Sequence, residues 1–425
     1  MLQKPKLKEL SFLVYGLGLS GCSVVKFFKK NKINNFKVWD DNEKKLYKNL
    51  RAKNLEKTLI TVDYIVLAPG ISLLKNKKLN KFKKKIITDI DLLYLANKNF
   101  KSIVVTGTNG KSTTCKLIAH LLKKNKIGYS LGGNIGTPIL NLKNPGKGFI
   151  IIEASSFQLS HSKFICPNFA FFLNFSNDHI DWHGTMKNYL NSKLKIFQYQ
   201  TKKNYAIVNR KFEKIFKAKS FLGKLTLPSK IEYKKIKNQI TNNYLASSIN
   251  DENMSFVFAF AKLINVKKKS FIKAMSSFKG LPHRFEIFLK KGNYTFINDS
   301  KATSFKSSQL ALSSLKNIYW ILGGLPKKGD KIEISNLKKN IIKCYLIGQN
   351  INFFKKQIKG KVACVTTKNL KRTIIQLLKD SRIQKNPHYN VLLSPSAASF
   401  DQFTNFEKRG EEFKRLCKIY VRKHI

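Results

Sequence analysis

The stretch Ser102-Ile-Val-Val-Thr-Gly-Thr-Asn-Gly-Lys-Ser-Thr113 decides the fold class of this chain. A short apolar run enters a loop with two glycines, and a helical pattern follows the loop. In loops of this kind the backbone N–H groups bind phosphate oxygens, the lysine reaches the β and γ phosphates, and the next hydroxyl holds Mg²⁺. Val105 occupies the place of the first glycine in the strict GxxxxGK[ST] pattern. The stretch predicts a phosphate-binding loop between a strand and a helix of a parallel sheet.

Short apolar runs alternate with Lys-rich amphipathic segments along the rest of the chain, which is the βαβ pattern of parallel-sheet proteins. We predict strands at residues 12–15, 37–39, 64–67, 102–105, 149–152, 170–173, 205–208, 294–297, 318–322, 345–347 and 391–393. A length of 425 residues suits about three domains. The predicted fold class is α/β with three domains: an N-terminal Rossmann-like domain at 1–97, a central P-loop ATPase domain with a parallel sheet at 98–281, and a C-terminal Rossmann-like domain at 282–425.

The formal charge of +57 first suggests a nucleic-acid or anionic-membrane partner. Only eight of the 81 basic residues are Arg, however, and the lysines are spread in short runs between apolar segments. This distribution is typical of solvated faces, so we expect neither nucleic acid nor membrane insertion. The six cysteines are scattered without a CxxC pair, which favours a reducing compartment. The start of the chain lacks the apolar core of a signal peptide and no apolar run approaches roughly 20 residues, so we expect a cytoplasmic protein. We also expect a monomer.

A second glycine motif, Gly16-Leu-Gly-Leu-Ser-Gly21, follows the predicted strand at 12–15 and precedes a helical pattern. Glycines let such a turn approach a pyrophosphate at a helix N-terminus. Asp40 lies 19 residues beyond the last glycine, where an acid can hold a ribose or a base. Taken alone, the motif is typical of NAD or FAD binding, and a tight turn without a ligand is the plainer interpretation. The motif does not decide which nucleotide binds.

Two further features suit a metal ion. Glu153 ends the predicted strand at 149–152, and an acid at this point of a unit with a phosphate loop suits a metal-holding carboxylate. Helix capping is the plain alternative. His179 and His183 are four residues apart, a spacing that suits zinc on a helix. No Glu lies between them as in HExxH, so we favour a Mg²⁺ site or a structural role.

Several motifs, in this order, resemble the Mur ligase family over nearly the whole chain. The central ones are TGTNGKST at 106–113, GGNIG at 132–136, EASSFQLS at 153–160, DHID at 178–181 and YLNSK at 189–193. The later ones are LPHRFE at 281–286, NDSKAT at 298–303 and SPSAASFDQFTNFEKRG at 394–410. The last motif is similar to the closing motif of the family member that adds D-glutamate. The ordered set is far more specific than either glycine loop alone.

The resemblance implies an ATP-dependent carboxylate-amine ligase that adds D-glutamate to UDP-N-acetylmuramoyl-L-alanine through an acyl phosphate. It implies catalytic roles for Lys111, Glu153, His179 and Lys193. The residues implied to bind ATP are Gly107, Thr108, Asn109, Gly110, Lys111, Ser112, Thr113, Asn250, Asn253, Arg284 and Asp299. Two Mg²⁺ ions are implied, with ligands from Ser112, Thr113, Glu153, His179 and a carbamylated Lys193.

The same resemblance implies where the other two substrates bind. The residues implied to hold the UDP end are Gly18, Ser20, Asp40, Asp41, Gly70 and Asn134. Those implied to hold D-glutamate are Lys327, Ser399 and Phe406, with Lys301 and Thr303 around the reaction centre. Two positions depart from the family pattern, because Ile249 replaces a usual His and Asn42 stands where some relatives have Arg.

Three alternatives stay open at this point. A ligase of the same family, or a folylpolyglutamate synthase, would use the same central motifs with a different amino acid. A nucleic-acid ATPase would explain the phosphate loop and the charge, and it predicts polynucleotide-stimulated hydrolysis. An NAD oxidoreductase would explain the first glycine motif and Asp40, but it leaves the phosphate loop without a role.

Overall fold

The computed structural model describes residues 6–42, 47–96, 99–246, 250–327, 329–383 and 388–424. Three sheets, each flanked by helices, follow one another along these residues. The predicted α/β class is confirmed, and every strand predicted from the sequence is present within a few residues of its predicted ends. Within the described ranges, no helix combines the length and the apolar character needed to cross a membrane.

The first sheet is built from four short strands. They are β1 (Phe12–Tyr15), β2 (Phe36–Trp39), β3 (Tyr64–Leu67) and β4 (Ile86–Ile87), and the helices are α1 (Leu19–Lys30), α2 (Leu55–Thr61), α3 (Lys77–Lys81) and α4 (Asp89–Ala96). All pairings are parallel, in the order β2-β1-β3-β4. Alternate residues of the central strand β1 join two different apolar clusters, so both faces of this strand are buried.

The second sheet has six parallel strands. They are β5 (Lys101–Thr106), β6 (Tyr129–Gly133), β7 (Phe149–Glu153), β8 (Phe169–Phe172), β9 (Tyr205–Val208) and β10 (Lys224–Thr226). The helices along this part of the chain are α5 (Lys111–Lys124), α6 (Ser156–His161), α7 (Ile180–His183), α8 (Met186–Leu194), α9 (Glu213–Ala218), α10 (Lys230–Lys237), α11 (Asn243–Ala246), α12 (Asp251–Leu263) and α13 (Lys268–Ser276). The order β10-β9-β8-β5-β7-β6 puts β5, which leads into the phosphate loop, between β8 and β7.

The third sheet has five parallel strands and one antiparallel edge. Its strands are β11 (Glu286–Lys291), β12 (Tyr294–Asn298), β13 (Ile318–Gly323), β14 (Ile341–Ile347), β15 (Cys364–Lys368) and β16 (Tyr389–Leu393). Its helices are α14 (Phe305–Ser314), α15 (Ile351–Ile358), α16 (Leu370–Ile383) and α17 (Phe406–His424). The order is β11-β12-β16-β13-β14-β15, with β11 antiparallel to β12. The carboxyl ends of β12, β16 and β13 therefore lie side by side.

Helix α4 joins the first two sheets. Leu92 packs in the core of the first sheet, whereas Ile90, Leu93 and Tyr94 pack in the core of the second. Asp91, which is fully buried, accepts hydrogen bonds from the loop that follows α6, including one of 2.7 Å from Ser162 Oγ. A helix shared in this way makes one packed body of the two sheets.

The chain divides into two compact units. One comprises Met1–Gln239 with Glu252–Ser276, and the other comprises Ile240–Asp251 with Ser277–Ile425. The predicted boundary at residues 97–98 falls on two residues outside the described ones. The domain ranges 1–97, 98–281 and 282–425 therefore stay a prediction.

Candidate active site

The phosphate loop forms where β5 ends and α5 begins. Gly110 has a φ of 81°, in the left-handed region that favours glycine, and a Cβ there would lie 2.3 Å from Asn253 Oδ1, so the Asn253 side chain would have to move. Lys111 opens α5 and folds back, because its Nζ donates to the Gly107 and Thr108 carbonyls at 2.9 and 2.8 Å. The following Ser112 is buried in the first turn of the helix. The loop thus presents a cation and helix N–H groups at one point.

The segment after β8 holds this loop in shape. Asn174 Oδ1 accepts from the Asn109 N–H at 2.9 Å, and Asn174 Nδ2 donates to the Asn109 carbonyl at 3.2 Å. The Thr108 hydroxyl accepts from the Ser176 N–H at 3.0 Å and lies 3.2 Å from the Tyr189 hydroxyl. Since β8 is the neighbour of β5, its carboxyl end meets the loop directly.

Glu153 lies at the carboxyl end of β7, level with Val105 on one side and Gly133 on the other. Its side chain is almost fully buried. Oε1 accepts from Asn134 Nδ2 at 3.2 Å, whereas Oε2 has no hydrogen-bond partner among the described residues. A buried carboxylate oxygen without a partner is costly, and a hard cation such as Mg²⁺ would compensate it. Glu153 therefore fits a metal ligand, while the cap of α6 is Ser155.

Lys193 on α8 is 1% exposed and points at the phosphate loop. Its Nζ donates to the Gly107 carbonyl at 2.8 Å and lies 4.7 Å from the centre of the Tyr189 ring. Burial, and then the charge of Lys111, hold the pKa of Lys193 well below its usual value of 10.5, against the attraction of Asp178. The lowered pKa therefore favours the neutral amine of Lys193, and the neutral amine is the form that reacts with carbon dioxide.

The two histidines of the DHID segment have different surroundings. His179 precedes α7 with a φ of 54°. The centre of its ring lies 4.7 Å from the centre of the Phe157 ring, and its Nε2 lies 3.5 Å from Asp178 Oδ2. His183 is buried at the end of α7, with Nε2 3.0 Å from Ser156 Oγ. Burial, with His179 and Lys193 nearby, lowers the pKa of His183 to about 4. His183 is thus a neutral packing residue.

The residues implied to hold the UDP end lie at the carboxyl edge of the first sheet. Leu17 N–H in the glycine motif donates to Asp40 Oδ2 at 2.6 Å, and Asp41 Oδ1 accepts from the Tyr15 hydroxyl at 2.7 Å. Gly18 and Ser20 begin α1, and Gly70 follows β3, the other neighbour of β1. Asn134 is the exception, because it follows β6 of the second sheet and contacts Glu153.

Asn250 and Asn253, two of the residues implied to bind ATP, belong to different compact units. Asn253 belongs to the first unit, where its Oδ1 accepts from Thr114 Oγ1 at 3.3 Å. Asn250 belongs to the second, where its Nδ2 donates to the Tyr244 carbonyl at 2.8 Å. Ile249, one of the two departures from the family pattern, lies outside the described residues.

Asp299 and Arg284 lie in the second unit, where Asp299 follows β12. Asp299 Oδ2 accepts from the Ser394 hydroxyl at 2.7 Å, and Oδ1 accepts from the Phe285 N–H at 3.1 Å. Burial raises the pKa of Asp299 to about 6, although the hydrogen bonds and Arg284 oppose the shift. Arg284 itself forms a one-residue antiparallel bridge with Leu281.

The loops that carry Lys327 and Ser399 are joined. Leu325 and Ala398 exchange two backbone hydrogen bonds of 2.9 Å, so the loop after β13 pairs with the loop after β16. Phe406, the first residue of α17, accepts a hydrogen bond at its carbonyl from Ser300 Oγ at 2.8 Å. The Nζ of the neighbouring Lys301 lies 4.7 Å from the centre of the Phe406 ring. The residues predicted for D-glutamate are thereby gathered at one edge of the third sheet.

Two residues with evident structural roles received none from the sequence. Asn174 lies four residues before the DHID motif, and its position after a strand adjacent to the phosphate loop is the signal that could have identified it. Arg409 lies in the closing motif and is 1% exposed. In a chain with eight Arg among 81 basic residues, an arginine inside a motif is itself a signal.

This chain is similar to known proteins in sequence and in fold. Residues 105–280 match the Mur ligase middle domain. A UDP-N-acetylmuramoylalanine--D-glutamate ligase of Rickettsia felis is 37% identical over 432 residues, covering 95% of this chain and 96% of the relative. The protein of the same name from Rickettsia prowazekii is 36% identical over 440 residues, covering 97% and 98%.

A solved structure of a Mur ligase has a fold similar to that of this chain. The crystal structure of MurF ligase from Thermotoga maritima in complex with ADP has a TM-score of 0.61 at 15% identity, covering 99% of this chain and 100% of that chain. At this identity the likeness concerns the fold alone. Family membership instead follows from 36–37% identity over nearly the full length of both chains. This chain belongs to the Mur ligase family, in the branch whose relatives are named UDP-N-acetylmuramoylalanine--D-glutamate ligase.

Proposed function

We propose that this chain is an ATP-dependent ligase that joins D-glutamate to UDP-N-acetylmuramoyl-L-alanine. The structural observation that best supports the proposal is a shared hydrogen-bond acceptor. Both Lys111 of the phosphate loop and the buried Lys193 donate to the Gly107 carbonyl. A phosphate loop alone suits any ATPase, whereas a buried lysine with a lowered pKa beside it suits this family's chemistry. The names of the full-length relatives supply the substrates.

The proposed reaction has two steps. The γ-phosphoryl group of ATP is transferred to the alanyl carboxylate, which gives an acyl phosphate and ADP. The amine of D-glutamate then attacks the acyl carbon, and inorganic phosphate leaves as the amide forms. Phosphoryl transfer requires positioning and charge neutralisation more than covalent help. Lys111 and the N–H groups that open α5 supply both, because they lie where the phosphates would bind.

The proposed metal ligands are Ser112, Thr113, Glu153, His179 and Lys193. Mg²⁺, with two ions in the proposal, supplies charge neutralisation on the phosphate oxygens when bound. The buried Oε2 of Glu153, which has no partner among the described residues, supports this assignment. Lys193 would first add carbon dioxide and lose a proton, which converts an amine into an anionic carbamate that suits a cation. Its lowered pKa favours that reaction, because only the neutral amine is nucleophilic.

The remaining assignments are part of the same proposal. We assign residues 1–97 to the UDP end, 98–281 to ATP and 282–425 to the amino acid. The UDP end would contact Gly18, Ser20, Asp40, Asp41, Gly70 and Asn134. ATP would contact Asn250 and Asn253 on its adenine side. Arg284 and Asp299 would lie around the nucleotide and the reaction centre. D-glutamate would contact Lys327, Ser399 and Phe406. We further propose a cytoplasmic monomer without a nucleic-acid partner.

Phosphate release from ATP tests the proposal. With UDP-N-acetylmuramoyl-L-alanine present, release should require D-glutamate and should not be supported by L-lysine or meso-diaminopimelate. Lys111→Ala should reduce the rate at least about a hundredfold, since it removes the cation that faces the phosphates. Lys116→Ala is the matched control, because Lys116 is exposed on the same helix. Release that is indifferent to D-glutamate would refute the assigned substrate, and release stimulated by polynucleotide would favour an ATPase of another class.

A further inference from the structure

Arg409 on α17 is a buried cation held by uncharged acceptors. Its Nε donates to Ser300 Oγ at 3.0 Å, and its Nη2 donates to the Ser300 and Ala397 carbonyls at 2.8 and 3.0 Å. Nη1 is buried without a hydrogen-bond partner among the described residues. Burial lowers the pKa of Arg409 to about 10, against the attraction of Asp401, so the side chain is still charged at neutral pH.

Packing does not explain this arrangement. A buried charge without a paired carboxylate opposes folding, and an apolar side chain of similar size would fill the same volume without that cost. Arg415 on the same helix shows the ordinary case, because it is mainly exposed and forms a two-bond ion pair with Glu412. The reason for a charged side chain at position 409 therefore lies in the groups that surround its guanidinium.

Those surroundings are the carboxyl ends of three adjacent strands. Ser300 follows β12, Ala397 follows β16 and Gly324 follows β13. A Cβ on Gly324 would lie 3.2 Å from Arg409 Nη1, so this loop packs directly on the guanidinium. One side chain thus supports all three loops. The next few residues of these loops include Lys301, Ser399 and Lys327, which are the residues assigned to the reaction centre and to D-glutamate.

We propose that Arg409 is a positioning residue for the incoming amino acid: it fixes the three loops that form the amino-acid site, and its buried charge favours an amino acid with a carboxylate side chain. This inference rests on the proposed function. It identifies a residue beneath the site, which acts through the loops that it holds. A site with a fixed cation behind it binds an amino acid whose side chain is a carboxylate better than the corresponding amide, whose side chain is uncharged.

Two variants of Arg409 and one control test the proposal. Arg409→Met keeps most of the volume and removes the charge, Arg409→Lys keeps the charge and part of the hydrogen bonding, and Arg415→Met is the matched control on α17. For Arg409→Met we expect the KM for D-glutamate to rise at least about tenfold and the preference for D-glutamate over D-glutamine to fall, with the KM for ATP within about twofold of wild type. Arg409→Lys should recover part of the loss.

The contrary results are equally specific. An unchanged KM for D-glutamate in Arg409→Met overturns the proposal, whatever the thermal midpoint. A fall in kcat together with similar rises in the KM for all three substrates also overturns it, because these changes indicate a general collapse of the fold.

A second measurement does not depend on ligase activity. Phe400, 70% exposed in the loop after β16, is a site for chymotrypsin. If Arg409 fixes this loop, cleavage after Phe400 should be at least about fivefold faster in Arg409→Met than in Arg415→Met. If the wild-type protein releases no phosphate with D-glutamate, the proposed function fails and this rate decides on Arg409: faster cleavage supports the positioning role, and equal rates reject it.

Discussion

The buried ammonium of Lys193 donates to the same carbonyl, that of Gly107, as the ammonium of Lys111 in the phosphate loop. Two cations on one acceptor repel each other, and the repulsion is strong where water is excluded. Neutralising Lys193 removes the repulsion, and converting it into a carbamate turns it into attraction. The geometry therefore favours a Lys193 that does not remain an ammonium.

The first prediction concerns the chemical form of Lys193. Lys193→Ala should reduce D-glutamate-dependent phosphate release at least about a hundredfold, because an anionic metal ligand is lost. Acetate at tens of millimolar should restore part of the activity by entering the vacated space. Lys187→Ala is the control, since Lys187 is exposed on the same helix. Full activity in Lys193→Ala, or no response to acetate together with insensitivity of the wild type to removal of carbon dioxide, would contradict a carbamate.

The second prediction concerns Glu153. Glu153→Gln is nearly isosteric and keeps an acceptor for Asn134 Nδ2, but it removes the negative charge. We expect the Mg²⁺ concentration for half-maximal activity to rise at least about tenfold, because a neutral amide is a poorer ligand for a hard cation. Glu213→Gln is the control, since Glu213 lies on α9 in an ion pair with Lys217. A Mg²⁺ requirement that stays the same in Glu153→Gln would remove Glu153 from the metal site.

The sequence predicted the interior of each sheet better than its edges. The strands that it missed, β4, β6, β10, β11 and β15, are all edge strands. An interior parallel strand is buried on both faces and appears as a continuous apolar run, as in FIII at 149–152. An edge strand has one neighbour and tolerates polar residues, as in EIFLKK at 286–291 and CVTTK at 364–368. The hydrophobic pattern cannot separate such segments from loops.

The candidate site shows a similar limit. Lys111 and Glu153 could be predicted because each stands where a parallel strand ends, next to a recognisable loop. Lys193 has no such mark in a chain with this many lysines, and only the resemblance singled it out. Its burial and its bond to Gly107 depend on how α8 packs against the loop, which is a tertiary property. The same holds for Asn174, whose partner lies 65 residues away.

The third prediction concerns pH and Asp89, a carboxylic acid that is almost fully buried on α4. Burial, assisted by Asp91, raises the pKa of Asp89 from 3.8 to about 6, although a hydrogen bond from Gln158 opposes the shift. Between these pH values the folded protein holds a proton that the unfolded chain has lost. The stability that depends on this proton is thus present below about pH 4 and is lost as the pH rises through about 6.

Asp89→Asn removes this titration and keeps an oxygen that can accept from the Ile90 N–H and Gln158. At pH 8 the variant should be more stable than wild type by on the order of 3 kcal/mol, and near pH 4 the two should be alike. Thermal unfolding at both pH values measures the difference. Asp63→Asn is a control of opposite sign, because hydrogen bonds from Ser11 lower the pKa of Asp63, so that variant should lose stability at pH 8. A lower midpoint for Asp89→Asn at pH 8 would show that the buried carboxylate stabilises the fold as an anion.

The last prediction concerns Lys327 and the choice of amino acid. The bridge between Leu325 and Ala398 brings the Lys327 loop to the Ser399 loop, so the lysine lies in the region assigned to the amino-acid side chain. Lys327→Ala should raise the KM for D-glutamate at least about tenfold, because the side-chain carboxylate loses its cation, and it should leave the KM for ATP within about twofold. Lys331→Ala, at an exposed lysine four residues on, should match wild type, which excludes a simple effect of net charge in a chain of +57. Equal increases in both variants would indicate long-range steering of the anionic substrate in place of a specific contact, and that increase should then vanish at high salt.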